Sequence, residues 1–199
     1  KLDGVDALLK DPKTTTVRLV TNAEKIVIKE TQRAFMYFGL YGFTVDAVIV
    51  NKLLPSTLDD PYFAKWRRTQ TALLAQAHEY FDPVPVFTLE LRDDQVVGAA
   101  GLAELGETLY AGQDPASSYR VEAPYRYVKS GGSYVLRLNL PFLEKEEIDL
   151  ALSSEDLIVR VGNFRHHIPV PRTLSGHEPA GAKVEDGRLV VRFRKKESS

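Results

Sequence analysis

The chain contains no cysteine, a single methionine (Met36) and a single tryptophan (Trp66). Without cysteine, disulfides, thiolate zinc sites and cysteine nucleophiles are excluded together, and the composition fits a reducing, cytoplasmic setting. An excess of either charge is also lacking: 26 Lys and Arg against 27 Asp and Glu leave a formal net charge of −1. No global field therefore draws the chain to nucleic acid or to an anionic membrane. No apolar run approaches the roughly 18 residues that span a bilayer, so no transmembrane segment is expected. The opening Lys1-Leu2-Asp3-Gly4 is not a signal peptide. It is not an initiator methionine either, so further polypeptide is expected upstream of Lys1.

What is present reads as two regimes. The hydrophobic content of 44% and charged content of 27% are ordinary for a globular protein. Val5, Leu8 and Leu9 predict the end of a helix broken at Asp11-Pro12. Thr14–Val20 is a β-branched strand candidate. Thr21-Asn22-Ala23-Glu24 has the form of a capping box opening a helix to about Phe38, with Ala23, Val27, Ala34 and Phe38 as its apolar stripe. Ala47–Val50 is a continuous apolar run, as expected of a strand covered on both faces. Strand, helix and strand at this spacing form a βαβ unit with a parallel pair. Pro61 suits the first turn of a helix reaching about Tyr80, and Val84–Phe87 is a third strand. Asp93 or Asp94 is a candidate cap for a last helix with Val97, Leu102, Leu105 and Leu109 inward.

Gly112–Ser118 has linker composition, and the period changes after it. Tyr134, Leu136, Leu138 and Leu140 alternate with Arg137 and Asn139. Ile148, Leu150 and Leu152 repeat the pattern, as do Leu157, Val159 and Val161. Leu189, Val191 and Phe193 close the set with Arg188 and Arg192 outward. Asp186-Gly187 is a two-residue hairpin signal. Six or seven short strands in this span predict an antiparallel sandwich. The expected division is an α/β domain over 1–111, a linker over 112–118, an all-β sandwich over 119–194 and a polar tail over 195–199.

In open parallel sheets, ligands bind beyond the carboxyl ends of the strands. Asn51 ends the apolar strand there. Its amide both donates and accepts, which suits the N6/N7 edge of adenine, although an Asn also caps strand ends and satisfies loop backbone. Lys52 is either a phosphate contact or a solvated lysine. Glu30, on the expected stripe, requires a cation such as Arg33. His166-His167 point to opposite faces of a strand and do not share a metal. Glu144–Glu147 and Arg192–Lys196 read as solvated charge, and a basic tail of this size gives little case for nucleic acid. No ordered triad or nucleophile elbow is present, so neither catalytic nor metal-binding residues are expected.

Val20-Thr21-Asn22-Ala23-Glu24, Glu30-Thr31-Gln32-Arg33 and Val48-Ile49-Val50-Asn51-Lys52-Leu53-Leu54-Pro55 together resemble the C-terminal part of the ArsA/GET-type P-loop ATPases. Trp66-Arg67-Arg68-Thr69-Gln70, Val84-Pro85-Val86-Phe87 and Gln95-Val96-Val97-Gly98 resemble later segments of the same family. The resemblance implies that Asn51 contacts adenine and that the loop around Phe87, Thr88 and Leu89 closes over the base. It implies ATP and Mg²⁺ as cofactors of the full-length parent, an upstream ATPase half as partner, and a homodimer. The family's G-K-G-G-x-G-K-[ST] loop is not in this sequence. Phosphoryl transfer depends on a phosphate cradle and a metal, so this chain alone is expected neither to bind ATP tightly nor to hydrolyse it.

Tyr134–Pro141 and Gly181-Ala182-Lys183-Val184-Glu185-Asp186-Gly187-Arg188-Leu189 resemble a small heat-shock protein (α-crystallin-like) domain. The long dimerising loop and the Ile-x-Ile tail of many such chaperones are lacking. The expected role is docking, on the ATPase body or on a protein client. The other reading is a non-enzymatic interaction protein in which a degenerate α/β domain presents the sandwich.

Overall fold

The computed structural model describes residues 3–130, 133–139, 148–153, 156–161, 164–174, 176–185 and 187–195. Residues 144–147, read above as solvated charge, and Leu140, Pro141 and Asp186 lie outside these. The chain divides into two units, residues 1–35 with 44–121 and residues 36–43 with 122–199.

The first unit contains α1 (Asp3–Lys10), β1 (Val17–Asn22), most of α2 (Lys25–Leu40), β2 (Val45–Leu53), α3 (Ala64–Phe81), β3 (Val86–Glu90) and α4 (Gly98–Tyr110). Its sheet has the order β1-β2-β3, and both pairings are parallel, as the βαβ spacing requires. Leu19 lies opposite Val48, Asn22 opposite Asn51, and Val50 opposite Thr88. Six consecutive residues of β2, Val45–Val50, are buried; for the apolar run Ala47–Val50 this is the expected two-sided cover.

Two details of the N-terminal helices differ from expectation. The capping box does not form. The Thr21 hydroxyl, in β1, lies 2.8 Å from that of Thr31, and the Glu24 amide donates to the Asn22 carbonyl at 2.8 Å. Tertiary burial of Thr21 thus overrides its local capping preference. The buried row of α2 is Ile28, Thr31 and Phe35, followed by Met36 and Leu40, while Val27, Ala34 and Phe38 are only half-buried. The larger Ile28 and Phe35 remove more apolar area from water than the smaller row would. Glu30 is exposed, and its partner is Arg33 at 2.6 Å.

A 3₁₀ turn at Pro61–Phe63 precedes α3, with the Asp60 carboxylate accepting from the Tyr62 amide at 2.8 Å. Ala77 and Phe81 are the buried residues of α3, and the Phe81 ring centroid lies 5.8 Å from that of Phe35. The expected cap of α4 is not observed, and of its expected inward face only Leu105 and Leu109 are half-buried. Asp94 accepts from the Gln95 amide instead, Val97 takes the N-cap position, and Val97 and Leu102 are exposed at 75% and 59%. This helix is anchored at its other end, where Tyr110 meets Phe87 at 5.7 Å.

In the second unit, the described residues form seven strands: β4 (Tyr125–Ser130), β5 (Ser133–Asn139), β6 (Ile148–Leu152), β7 (Asp156–Val161), β8 (Phe164–Pro169), β9 (His177–Glu185) and β10 (Arg188–Lys195). They make two antiparallel sheets, β4-β5-β10-β9 and β6-β7-β8. The alternation read from the sequence is the one observed. Leu136, Leu138, Leu157, Val159, Leu189, Val191 and Phe193 are buried in one core, joined by Met36 and Leu40 from the last turns of α2. Arg137, Arg188 and Arg192 are exposed. Gly187, in the β9–β10 connection, has φ 67°, the conformation the hairpin reading asks of it. No helix among the described residues is long and apolar enough to cross a membrane.

Candidate adenine-side edge and a buried ion pair

The carboxyl ends of β1 and β2 bring Asn22 and Asn51 side by side in register. The β2–β3 register shifts between Val50 and Leu53, so Asn51 and Lys52 have no partner in β3, and Lys52 adopts φ 57°. A lysine in the left-handed region costs on the order of 1–2 kcal/mol, so neighbouring contacts must hold this turn. The Asn51 Oδ1 accepts from the Lys52 amide at 2.8 Å. From α3, Gln70 accepts from the Leu54 amide through Oε1 at 2.8 Å and donates from Nε2 to the Lys52 carbonyl at 3.4 Å. Glu90 at the end of β3 accepts from the Ser56 amide at 3.1 Å, and the Leu91 amide donates to the Leu53 carbonyl at 2.7 Å. The turn that carries Asn51 is therefore tied on both sides. The Asn51 Nδ2 makes no hydrogen bond among the described residues, and Lys52 is exposed.

Gln70→Ala unpairs the Leu54 amide and releases one side of the turn. The expected loss is about 1–2 kcal/mol, read as a shifted urea midpoint. An unchanged midpoint would show that water replaces Gln70 at no cost.

Phe87, Thr88 and Leu89 lie within β3. Strand alternation puts Phe87 and Leu89 on the face that carries Asn51, and Thr88 on the other. Leu89 is buried and Thr88 is exposed. The Phe87 ring packs against Tyr110 at 5.7 Å and Tyr119 at 5.1 Å.

Tyr110 and Tyr119 in turn lie against an ion pair that sequence reasoning missed. Asp46 is fully buried, and its Oδ1 lies 3.3 Å from Nε of the half-buried Arg18. The Asp46 Oδ2 accepts from the Tyr119 amide at 3.2 Å. The Arg18 guanidinium donates to the carbonyls of Pro115 at 2.7 Å and Ser117 at 2.8 Å, and it sits over the rings of Tyr119 (4.8 Å) and Tyr110 (5.5 Å). Burial alone would lower the Arg18 pKa, but hydrogen bonding to Tyr110 and to the Asp46 carboxylate raises it overall. Burial raises that of Tyr119 against the opposing pull of Arg18. The guanidinium thus stays charged and the phenol neutral, and residues 115–119 are fastened to the sheet. One signal was available: Asp46 stands in the apolar stretch Phe43–Val50, where a carboxylate requires a partner.

Comparison with known proteins agrees with this architecture. Residues 1–111 match the family model of the anion-transporting ATPases, and residues 131–193 match that of the HSP20-like domain found in ArsA. The "Putative arsenical pump-driving ATPase 1" of Aquifex aeolicus (strain VF5) is 40% identical over 195 residues, covering 96% of this chain and 49% of that protein. The "Putative arsenical pump-driving ATPase" of Chlorobaculum tepidum is 38% identical over 193 residues, covering 97% of this chain and 48% of that protein. The "Arsenical pump-driving ATPase" of Escherichia coli is 26% identical over 157 residues, covering 77% and 24%. The chain spans about half the length of the first two relatives. With more than half of its residues matched by the family model, this chain belongs to the anion-transporting ATPase family.

Proposed function

We propose that this chain contributes the adenine-side edge of an ATP site whose phosphate-binding half lies on further polypeptide, and that its sandwich is a docking module. The observation that carries the reading is Asn51: it stands two residues before the end of the central strand, beside a braced turn, with Nδ2 making no hydrogen bond among the described residues. Adenine suits that group, because the base offers ring nitrogens as acceptors beside an amino donor. The phosphates and Mg²⁺ have no counterpart here. The sequence contains no glycine-rich loop with its lysine, and no group of three or more potential metal ligands occurs among the described residues.

Uncovered apolar surface supports the same reading. Val20, on the edge strand β1, is 61% exposed, and Ile26 at the start of α2 is 76% exposed. An exposed, unpaired strand edge invites another strand, and relatives twice as long have the residues to supply one. In this proposal ATP and Mg²⁺ belong to the whole protein, as do homodimer closure and cytoplasmic location. Asn51 fixes the base, and Phe87 and Leu89 line the same sheet face behind it.

Isothermal titration of Mg-ATP into this chain and into one extended upstream through a P-loop tests the reading. The extended chain is expected to bind, and the short one to bind weakly or not at all. Asn51→Ala should weaken ATP by about 1–2 kcal/mol, one hydrogen-bonded group's worth. Equal affinity for ATP and GTP in both variants would remove Asn51 from the base site. For the sandwich, deletion of residues 119–199 should abolish partner capture; unchanged capture would leave it a passive cap.

A further inference from the structure

The outer face of the β4-β5-β10-β9 sheet carries a charge arrangement that folding does not require. Its inward residues form the core, while Arg126, Arg137, Arg188 and Arg192 face away from it. Arg126 and Arg137 stand directly opposite each other on neighbouring strands, a like-charge pairing that destabilises a sheet. The rim arginines have carboxylate partners: Arg126 with Glu122 at 3.8 Å and Arg194 with Glu178 at 2.8 Å. Arg137, Arg188 and Arg192 have none among the described residues. These three line a hollow of about 550 Å³, together with Ser130, Ser133 and Glu185. In a chain of net charge −1, such a concentration is a local feature.

The spacing identifies the ligand. Arg188 and Arg192 are four residues apart on β10, about 13 Å along the strand. Arg137 lies opposite Val190, midway between them on β5. Three guanidinium side chains therefore start at axial steps of about 6.6 Å, the repeat of alternate residues in an extended peptide. A single phosphate is too small to span the row. Glu185, opposite Arg188 in register, weakens the positive field at that end, so Arg137 and Arg192 carry most of it. At the other end, the Ser130 and Ser133 hydroxyls offer hydrogen bonds to peptide groups or carboxylates.

We propose that this face docks an extended acidic peptide segment of a protein partner, with carboxylates at alternate positions reaching Arg137 and its flanking arginines. The proposal rests on the docking role given above to the sandwich, and it fails separately. If deletion of 119–199 abolishes partner capture while the arginine variants capture normally, docking stands and this surface falls.

The test is fluorescence anisotropy with a labelled peptide, Gly-Glu-Thr-Glu-Thr-Glu-Thr-Glu-Gly, titrated with the 199-residue chain at low salt. The expected Kd is about 100 µM, weakening with salt as charge contacts do. Arg137→Glu with Arg192→Glu should weaken binding at least about tenfold, since each exposed charge pair contributes up to about 1 kcal/mol. An isomer with its four glutamates contiguous should bind more weakly. No binding by the wild type up to about ten times that concentration would overturn the proposal. So would equal binding of the contiguous isomer, of tripolyphosphate or of single-stranded DNA, each pointing to an unspecific basic surface. Should the glutamate variants fail to fold, Arg137→Gln with Arg192→Gln keeps the strand side chains polar and must still show a several-fold loss.

Discussion

Arg18→Ala is expected to destabilise the α/β unit by about 3–5 kcal/mol, the usual consequence of leaving a buried charge without its partner. Asp46 is fully buried, and Arg18 is its ion-pair partner. The same substitution removes the donors to the Pro115 and Ser117 carbonyls and uncovers one face of the Tyr110 and Tyr119 rings. Residues 112–118 should consequently become more susceptible to limited proteolysis. Asp46→Asn is expected to be milder, because the amide oxygen still accepts from the Tyr119 backbone and the Arg18 guanidinium, left without its carboxylate, keeps the Pro115 and Ser117 carbonyls. Joint replacement, Arg18→Met with Asp46→Leu, should recover most of the loss, since a well-packed apolar pair often equals a buried ion pair. Urea denaturation of the four proteins reads this series. If Arg18→Ala stays within about 0.5 kcal/mol of wild type, the range of an inert surface change, the pair contributes nothing to the fold.

Phe193→Ala should cost the sandwich about 3–5 kcal/mol, through lost transfer energy and the cavity left behind. Phe193 is 1% exposed, sits among Leu136, Leu138 and Val191, and lies 6.1 Å from the Tyr127 ring. The neighbouring Arg192→Ala points the other way, and its expected effect on stability is within about 0.5 kcal/mol. Hydrogen exchange at the Leu136 and Val191 amides separates the two. Protection should collapse in the first variant and persist in the second. Similar exchange in both would mean that Phe193 is not part of the cooperative core.

Periodic elements were legible because their signal is local. The Ala47–Val50 run announces β2, and strict alternation from Tyr134 and from Leu189 announces β5 and β10 with the correct faces. The two resemblances likewise located the α/β and sandwich portions now matched over 1–111 and 131–193. The phase of α2 was not legible. Ile28, Thr31 and Phe35 are buried in one unit while Met36 and Leu40 join the core of the other, and no single stripe describes a helix with two neighbours. The inward face expected of α4 held only in part for a related reason: an apolar pattern states a capacity for burial, and Leu105 and Leu109 are half-buried while Val97 and Leu102 stay exposed.

The candidate site divides in the same way. Asn51 could be singled out by its place at the end of an apolar run, whereas the brace from Gln70 to Leu54 spans 16 residues and the Arg18–Asp46 pair joins residues 28 apart. Strand and helix identity, and which residues of the sandwich turn inward, follow from backbone geometry that repeats every two or 3.6 residues; the chain carries that information in its order alone. Which donor meets Asp46, which side chain holds the strained Lys52 turn, and which three arginines share one hollow were decided only when distant segments came together. Hydrogen bonds and charges act over a few ångströms of space, and sequence separation does not encode that distance.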